Sequence, residues 1–130
     1  MKKQTQAIHT QFQRPDAYSS LSMPVYHTAS YEFGDAVSMT DAFCGRTDDP
    51  DYSRVMNPTV TFFENKVRAL TGATDVIALS SGMAAISNAL LAVAEAGRKV
   101  VTSRHLFGNT YSLITGTLRR FGIEPVLCDL

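Results

Sequence analysis

Tryptophan is missing from this chain, and cysteine occurs only twice in its 130 residues. Cys44 and Cys128 match neither a metal-ligand spacing nor a disulfide framework, so two free thiols and no metal are expected. Net charge is missing too: Lys+Arg and Asp+Glu both number 12. A nucleic-acid or membrane-surface protein would need a basic excess or a basic face. No apolar run approaches the ~18 residues of a membrane helix. The start, Met1-Lys2-Lys3 followed by polar residues, lacks the apolar stretch of a secretory signal. The expected compartment is therefore the cytoplasm, with no nucleic-acid or membrane partner. What remains is ordinary: 45% apolar residues, and length for one domain and no more.

The chain changes character near Asn57. Residues 1–57 are rich in Gln, Ser, Thr, Tyr and Asp, are interrupted by Pro15, Pro24 and Pro50, and show only a weak helical pattern around Gly34–Phe43. So long a stretch without elements is uncommon inside a compact domain. Its aromatics (Phe12, Tyr18, Tyr26, Tyr31, Phe33, Phe43 and Tyr52) argue for an extended arm packed on a partner, since disordered tails are poor in aromatics.

Residues 58–130 alternate helix and strand patterns. Asn57-Pro58 is a helix start, Val60, Phe63, Val67 and Leu70 form a stripe, and Gly72 is placed to end it. Asp75–Leu79 reads as a buried strand. Ser81–Ala96 reads as a helix with Met83, Ile86, Leu90 and Val93 inward, closed by Gly97. Lys99–Ser103 reads as a strand. Asn109–Phe121 reads as a helix with Leu113, Ile114, Leu118 and Phe121 inward, closed by Gly122. Glu124–Asp129 reads as a third strand. This alternation implies βαβ units and a parallel sheet. Three strands that end at Leu130 suggest a truncated piece of a larger doubly wound domain, with uncovered apolar faces that favour self-association.

Three motifs carry chemistry. Ser80-Ser81-Gly82-Met83 joins an expected strand to an expected helix. The first N–H groups of a helix lack backbone partners and the dipole adds partial positive charge, so an anion is favoured there. Gly82 would let it approach the backbone, and Ser80 or Ser81 could add a hydroxyl. A plain serine cap with a tight glycine turn explains the same residues. The string has neither the Gly-Lys-Ser/Thr of a Walker loop nor GxGxxG. In the second motif, Asp51–Thr59, Arg54 offers a planar donor fork and Tyr52, two residues away, a phenol. An Arg paired with Asp48, Asp49 or Asp51 is the plainer alternative. In the third, Arg104–Tyr111, Phe107 could stack on a flat ring, or simply pack under a helix cap.

Together and in this order, the motifs resemble the cysteine/methionine metabolism family of pyridoxal-phosphate (PLP) enzymes, which includes cystathionine γ-synthase, cystathionine lyases, methionine γ-lyase and O-acetylhomoserine sulfhydrylase. Tyr52-Ser53-Arg54…Asn57-Pro58-Thr59 is similar to the family's Y-x-R-x-x-N-P-T signature, Ser80–Ala85 to its S-S-G-M-A-A loop, and Ser22–Tyr26 to its "PPIY" stretch. The resemblance implies an aspartate-aminotransferase-like fold, of which this chain would be the N-terminal portion: an arm over 1–57 that contacts a neighbouring subunit, then the start of the PLP-binding α/β domain over 58–130. It implies a homo-oligomer, dimer or tetramer, acting on a small amino-acid substrate. It also implies cofactor contacts from Ser81, Gly82 and Met83 to the phosphate, from Tyr52 and Arg54 to the phosphate of a neighbouring subunit's cofactor, and from Phe107 to the ring.

Two departures bear on activity. The Schiff-base lysine of the family lies in a Ser-x-Thr-Lys context, and none of Lys2, Lys3, Lys66 and Lys99 has that context. This stretch alone is therefore expected to be inactive, and in that sense a phosphate-binding or dimer-forming module. Most members also carry Tyr-Gly-Gly-Thr where Phe107-Gly108-Asn109-Thr110 stands here. A phenylalanine stacks but donates no proton. A thiolate leaving group benefits from an acid, and acetate needs one less. The resemblance thus tilts toward O-acetylhomoserine sulfhydrylase, with methionine or cystathionine γ-lyase and cystathionine γ-synthase as alternatives. Tyr52 or Tyr111 could supply the missing phenol.

Overall fold

The computed structural model describes residues 2–10 and 17–129. Phe12 and Pro15 of the expected arm, and Leu130, lie outside the described residues. The chain forms two compact units, Met1–Ala78 and Leu79–Leu130.

The first unit contains α1 (Lys3–His9), α2 (Ala36–Phe43) and α3 (Pro58–Thr71). Helix α1 has no apolar period to announce it, yet it packs against α3. Helix α2 stands where the weak pattern suggested and starts at Asp35, whose carboxylate accepts from the Val37 and Ser38 amides at 2.8 Å. The Ser38 backbone N–H, chiefly, holds that carboxyl below its usual pKa. Helix α3 begins as expected. Asn57 caps it and Pro58 supplies the preset backbone of the first turn. It ends at Gly72, whose φ of 75° is left-handed and favours glycine.

The expected strand at Asp75–Leu79 is not one. Among the described residues the segment has no strand neighbour, and side chains take its amides instead. Asp75 Oδ1 accepts from Val76 N at 2.9 Å and Glu64 Oε1 accepts from Ala78 N at 2.7 Å. Nor is it buried: Ile77 is 78% exposed. An apolar run becomes a strand only where another strand completes its ladder.

The second unit opens with α4 (Gly82–Val93). Then come β1 (Lys99–Ser103), α5 (Gly108–Ser112), a π-helical turn (Leu113–Thr117), α6 (Leu118–Arg120) and β2 (Glu124–Cys128). Strands β1 and β2 pair in parallel, with Val101 opposite Val126 and Ser103 opposite Cys128. The expected parallel sheet is thus present as two strands. Helix α4 is shorter than the stripe suggested. Its cap residue Ala94 is already extended, and Val93 faces solvent. The chain then turns at Gly97, whose N–H donates to the Gly122 carbonyl at 2.8 Å. Gly122 has φ 76°, a left-handed conformation that favours glycine.

Ile114, Leu118 and Ile123 form the buried core of this unit, with Leu90, Ala94, Val100, Leu106 and Leu113 packed around it. Phe121, expected inward, is exposed. Helix α6 ends at Arg120, so Phe121 lies in the turn beyond it, and Ile123, after Gly122, takes the buried place instead. Leu118 is 1% exposed. Leu118→Ala is expected to cost about 3 kcal/mol, seen as a lower urea midpoint with an unchanged slope. Among the described residues no helix is long and apolar enough to cross a membrane.

Candidate functional site

Helix α4 presents a small set of donors at its start. Its four leading amides have no partner within the helix geometry itself. Ser81 accounts for two of the amides that follow. Its Oγ accepts from Ala84 N at 3.1 Å and its carbonyl accepts from Ala85 N at 3.0 Å. That leaves the N–H groups of Gly82 and Met83 without a partner among the described residues. Gly82 is exposed, and a Cβ built on it would meet nothing within 4 Å. The Ser81 hydroxyl, accepting from Ala84, keeps its own proton for donation. Two amides, a hydroxyl and the helix dipole thus converge on an open space that suits a phosphate.

The third motif lies in the same unit. Ser103 ends β1, and residues 104–107 lead directly into α5. Two bonds tie this connection to the end of β2. Arg104 N donates to the Cys128 carbonyl at 3.0 Å, and Arg104 Nε lies 2.6 Å from Asp129 Oδ1. Phe107 follows with its side chain 75% exposed, so within this unit it does not pack under the helix cap. The start of α5 meets the start of α4, where the Thr110 hydroxyl lies 3.8 Å from Met83 Sδ. The structure therefore brings Ser81, Gly82, Met83 and the Phe107 loop to one end of one unit. Tyr111, one turn into α5, donates its N–H to the Phe107 carbonyl at 3.0 Å and is 41% exposed.

The second motif lies in the first unit. Residues 52–56 form a turn in which the Tyr52 carbonyl accepts from Val55 N at 2.8 Å and Met56 N at 2.9 Å. The Arg54 guanidinium sits 5.2 Å from the centre of the Tyr52 ring, and among the described residues it makes no salt bridge. The aspartate pairing that would have made Arg54 a plain surface residue is not there. Both side chains are exposed.

Sequence reasoning missed what lies behind that turn. Asn57 is 8% exposed, and among the described residues it is the buried polar one. Its Oδ1 caps α3 by accepting from Thr59 N at 2.9 Å. Its Nδ2 donates to the Tyr26 carbonyl and to Ser53 Oγ, both at 3.0 Å, and lies 3.3 Å from the Tyr31 hydroxyl. Thr59 Oγ1 accepts from Tyr26 N and donates to the Pro24 carbonyl. The stretch Ser22–Tyr26 and the block Tyr52–Thr59 are thus stitched together inside one unit. The only available signal was that both stretches belong to one resemblance.

A parallel α/β unit with a donor-lined helix start beside an exposed aromatic at the strand ends is an arrangement that suits a phosphorylated ligand. Comparison with known proteins makes this specific. Residues 4–130 match the model of the Cys/Met metabolism PLP-dependent enzyme family, and the chain belongs to that family. An L-methionine gamma-lyase of Fusobacterium nucleatum is 40% identical over 96% of this chain. The chain spans about a third of that relative's length (31%). The crystal structure of a Campylobacter jejuni protein described as an O-acetylhomoserine (thiol)-lyase carries N'-pyridoxyl-lysine-5'-monophosphate. It superposes over 99% of this chain and 32% of its own with a TM-score of 0.90 at 32% identity. An O-acetylhomoserine sulfhydrylase of Wolinella succinogenes is 55% identical over 56% of this chain and 21% of its own, with a TM-score of 0.55. The fold is therefore the N-terminal portion of the aspartate-aminotransferase-like type, as the resemblance implied. The family is PLP-dependent, its members being sulfhydrylases and lyases.

Proposed function

We propose that this chain is the phosphate-holding N-terminal part of a PLP-dependent γ-replacement enzyme, which converts O-acetylhomoserine and sulfide or a thiol to homocysteine or methionine plus acetate. The observation that carries the reading is the open amide pair of Gly82 and Met83 beside the exposed Phe107 ring. In it, Gly82 and Met83 donate their N–H groups to the cofactor phosphate, Ser81 adds its hydroxyl, and Phe107 stacks on the ring. Tyr52 and Arg54 grip the phosphate of the cofactor in a neighbouring subunit, and the arm of residues 1–57 carries them there. The cofactor supplies an electron sink for carbanion chemistry on the amino acid. The lysine that anchors it is not among the four in this chain, so the 130 residues alone are inactive. The enzyme is a homo-oligomer of the cytoplasm.

Phe107 decides between reactions. It excludes water from one ring face but holds no proton for a leaving thiolate, which suits a substrate that releases acetate. A γ-lyase is the second reading. It is favoured by the methionine gamma-lyase relative and by Tyr111, whose exposed phenol stands one turn from Phe107. The full-length enzyme, given O-acetylhomoserine and sulfide, is expected to release homocysteine and acetate in equal amounts, and little oxo-acid from methionine. Oxo-acid from methionine, with no sulfide-dependent homocysteine, would overturn the sulfhydrylase reading.

A further inference from the structure

We propose that Ser53, held by Tyr31 and Asn57, is a positioning residue for Tyr52 and Arg54. The inference rests on the reading that those two side chains grip the cofactor phosphate. Ser53 lies between them in sequence, and its hydroxyl is the centre of a closed set of hydrogen bonds. It donates to the Thr28 carbonyl and accepts from Asn57 Nδ2 at 3.0 Å. The Tyr31 hydroxyl lies 3.1 Å away. Since the single Ser53 proton goes to Thr28, the proton between Ser53 and Tyr31 is tyrosine's. Asn57 Nδ2 has two protons: one reaches Tyr26, and the other is shared by Ser53 and Tyr31.

The backbone is fixed by the same residues. Ser53 N donates to the Ala29 carbonyl at 2.9 Å, and Tyr52 bridges Ser30 in antiparallel fashion. Within this turn Ser53 is half-buried against Thr28, Tyr31 and Asn57, while Tyr52 and Arg54 on either side of it are exposed. They are then free to stack on one another and to meet a ligand. With the backbone beneath them already fixed, binding a phosphate has only these two side chains to order, which lowers its entropic cost.

The test is PLP titration of the apo form of the full-length enzyme, with the apo melting temperature measured alongside. Ser53→Ala is expected to weaken PLP about tenfold, the worth of one hydrogen bond, while the melting temperature stays close to the parent's. Ser53→Thr, which keeps the hydroxyl, restores most of the affinity. In a Tyr52→Phe/Arg54→Ala background, Ser53→Ala should cause no further loss, because its effect passes through those two groups. An equal loss in that background, or none in the parent while the double variant binds poorly, overturns the positioning role and leaves the phosphate reading standing. A double variant that binds PLP as tightly as the parent overturns both. Should Ser53→Ala fail to fold, Tyr31→Phe removes one proton from the same set and is read in the same cycle.

Discussion

Gly82→Ala in the full-length enzyme is expected to weaken PLP binding roughly a hundredfold without lowering the melting temperature of the apo form. The two halves of that result come from separate facts. A Cβ at Gly82 meets nothing within 4 Å, so the protein does not resist the methyl group. Residue 82 opens α4, and alanine is the better helix former by up to about 1 kcal/mol. The apo protein should therefore be as stable as before, or slightly more so. The ligand is affected differently. The space that is open in the protein is the space a phosphate needs to reach the Gly82 and Met83 amides. A methyl group pushes it back, and each hydrogen bond to a charged group is worth about 1.5–3 kcal/mol. Losing one such bond, or stretching both, corresponds to roughly a hundredfold in affinity. Titration by PLP absorbance, with a thermal melt of the apo form, measures both halves. Unchanged affinity would mean that the phosphate does not lie on Gly82, and a lower melting temperature would mean that glycine serves the fold.

Much of the framework around this candidate site was legible in the sequence because its signals are local. Asn57-Pro58, Ser81-Gly82 and Gly72 are cap residues, and a cap acts within a turn of where it stands. Helices α3 and α4 and strands β1 and β2 therefore stand within a few residues of where the pattern put them. What failed depended on distant partners. Asp75–Leu79 has the composition of a strand, but no neighbour among the described residues completes a ladder, so Glu64 and Asp75 take its amides. Helix α1 has no stripe of its own and depends on α3. The last helix ends at Arg120, so the buried place falls to Ile123 beyond the turn, which a helical stripe run on to Phe121 does not anticipate. Asn57 was read only as a cap. Its second role, holding Tyr26 and Ser53, joins residues 31 and 4 positions apart, and a motif written along one line does not show it.

On the proposed reading the choice of reaction rests on one side chain, and adding one oxygen to it should move the activity. Phe107→Tyr is expected to raise oxo-acid release from methionine about a hundredfold in kcat/KM while changing sulfide-dependent homocysteine formation by less than about threefold. The side chain is 75% exposed in this unit, so a hydroxyl at the ring edge meets no packed neighbour here. Stacking is kept, because tyrosine and phenylalanine present the same face. What changes, if residue 107 faces the leaving group as proposed, is that a phenol, protonated below its usual pKa of about 10, stands there. General acid catalysis is worth about 10²–10⁴, and it helps only a leaving group that needs a proton. The thiolate of methionine does, whereas acetate departs as a stable anion. Phe107→Leu is the control: it removes stacking without adding an acid, and should lower both reactions alike. If Phe107→Tyr raises neither rate, then residue 107 does not face the leaving group. In that case Tyr111, on the next turn with its own phenol exposed, becomes the side chain that decides between lyase and sulfhydrylase.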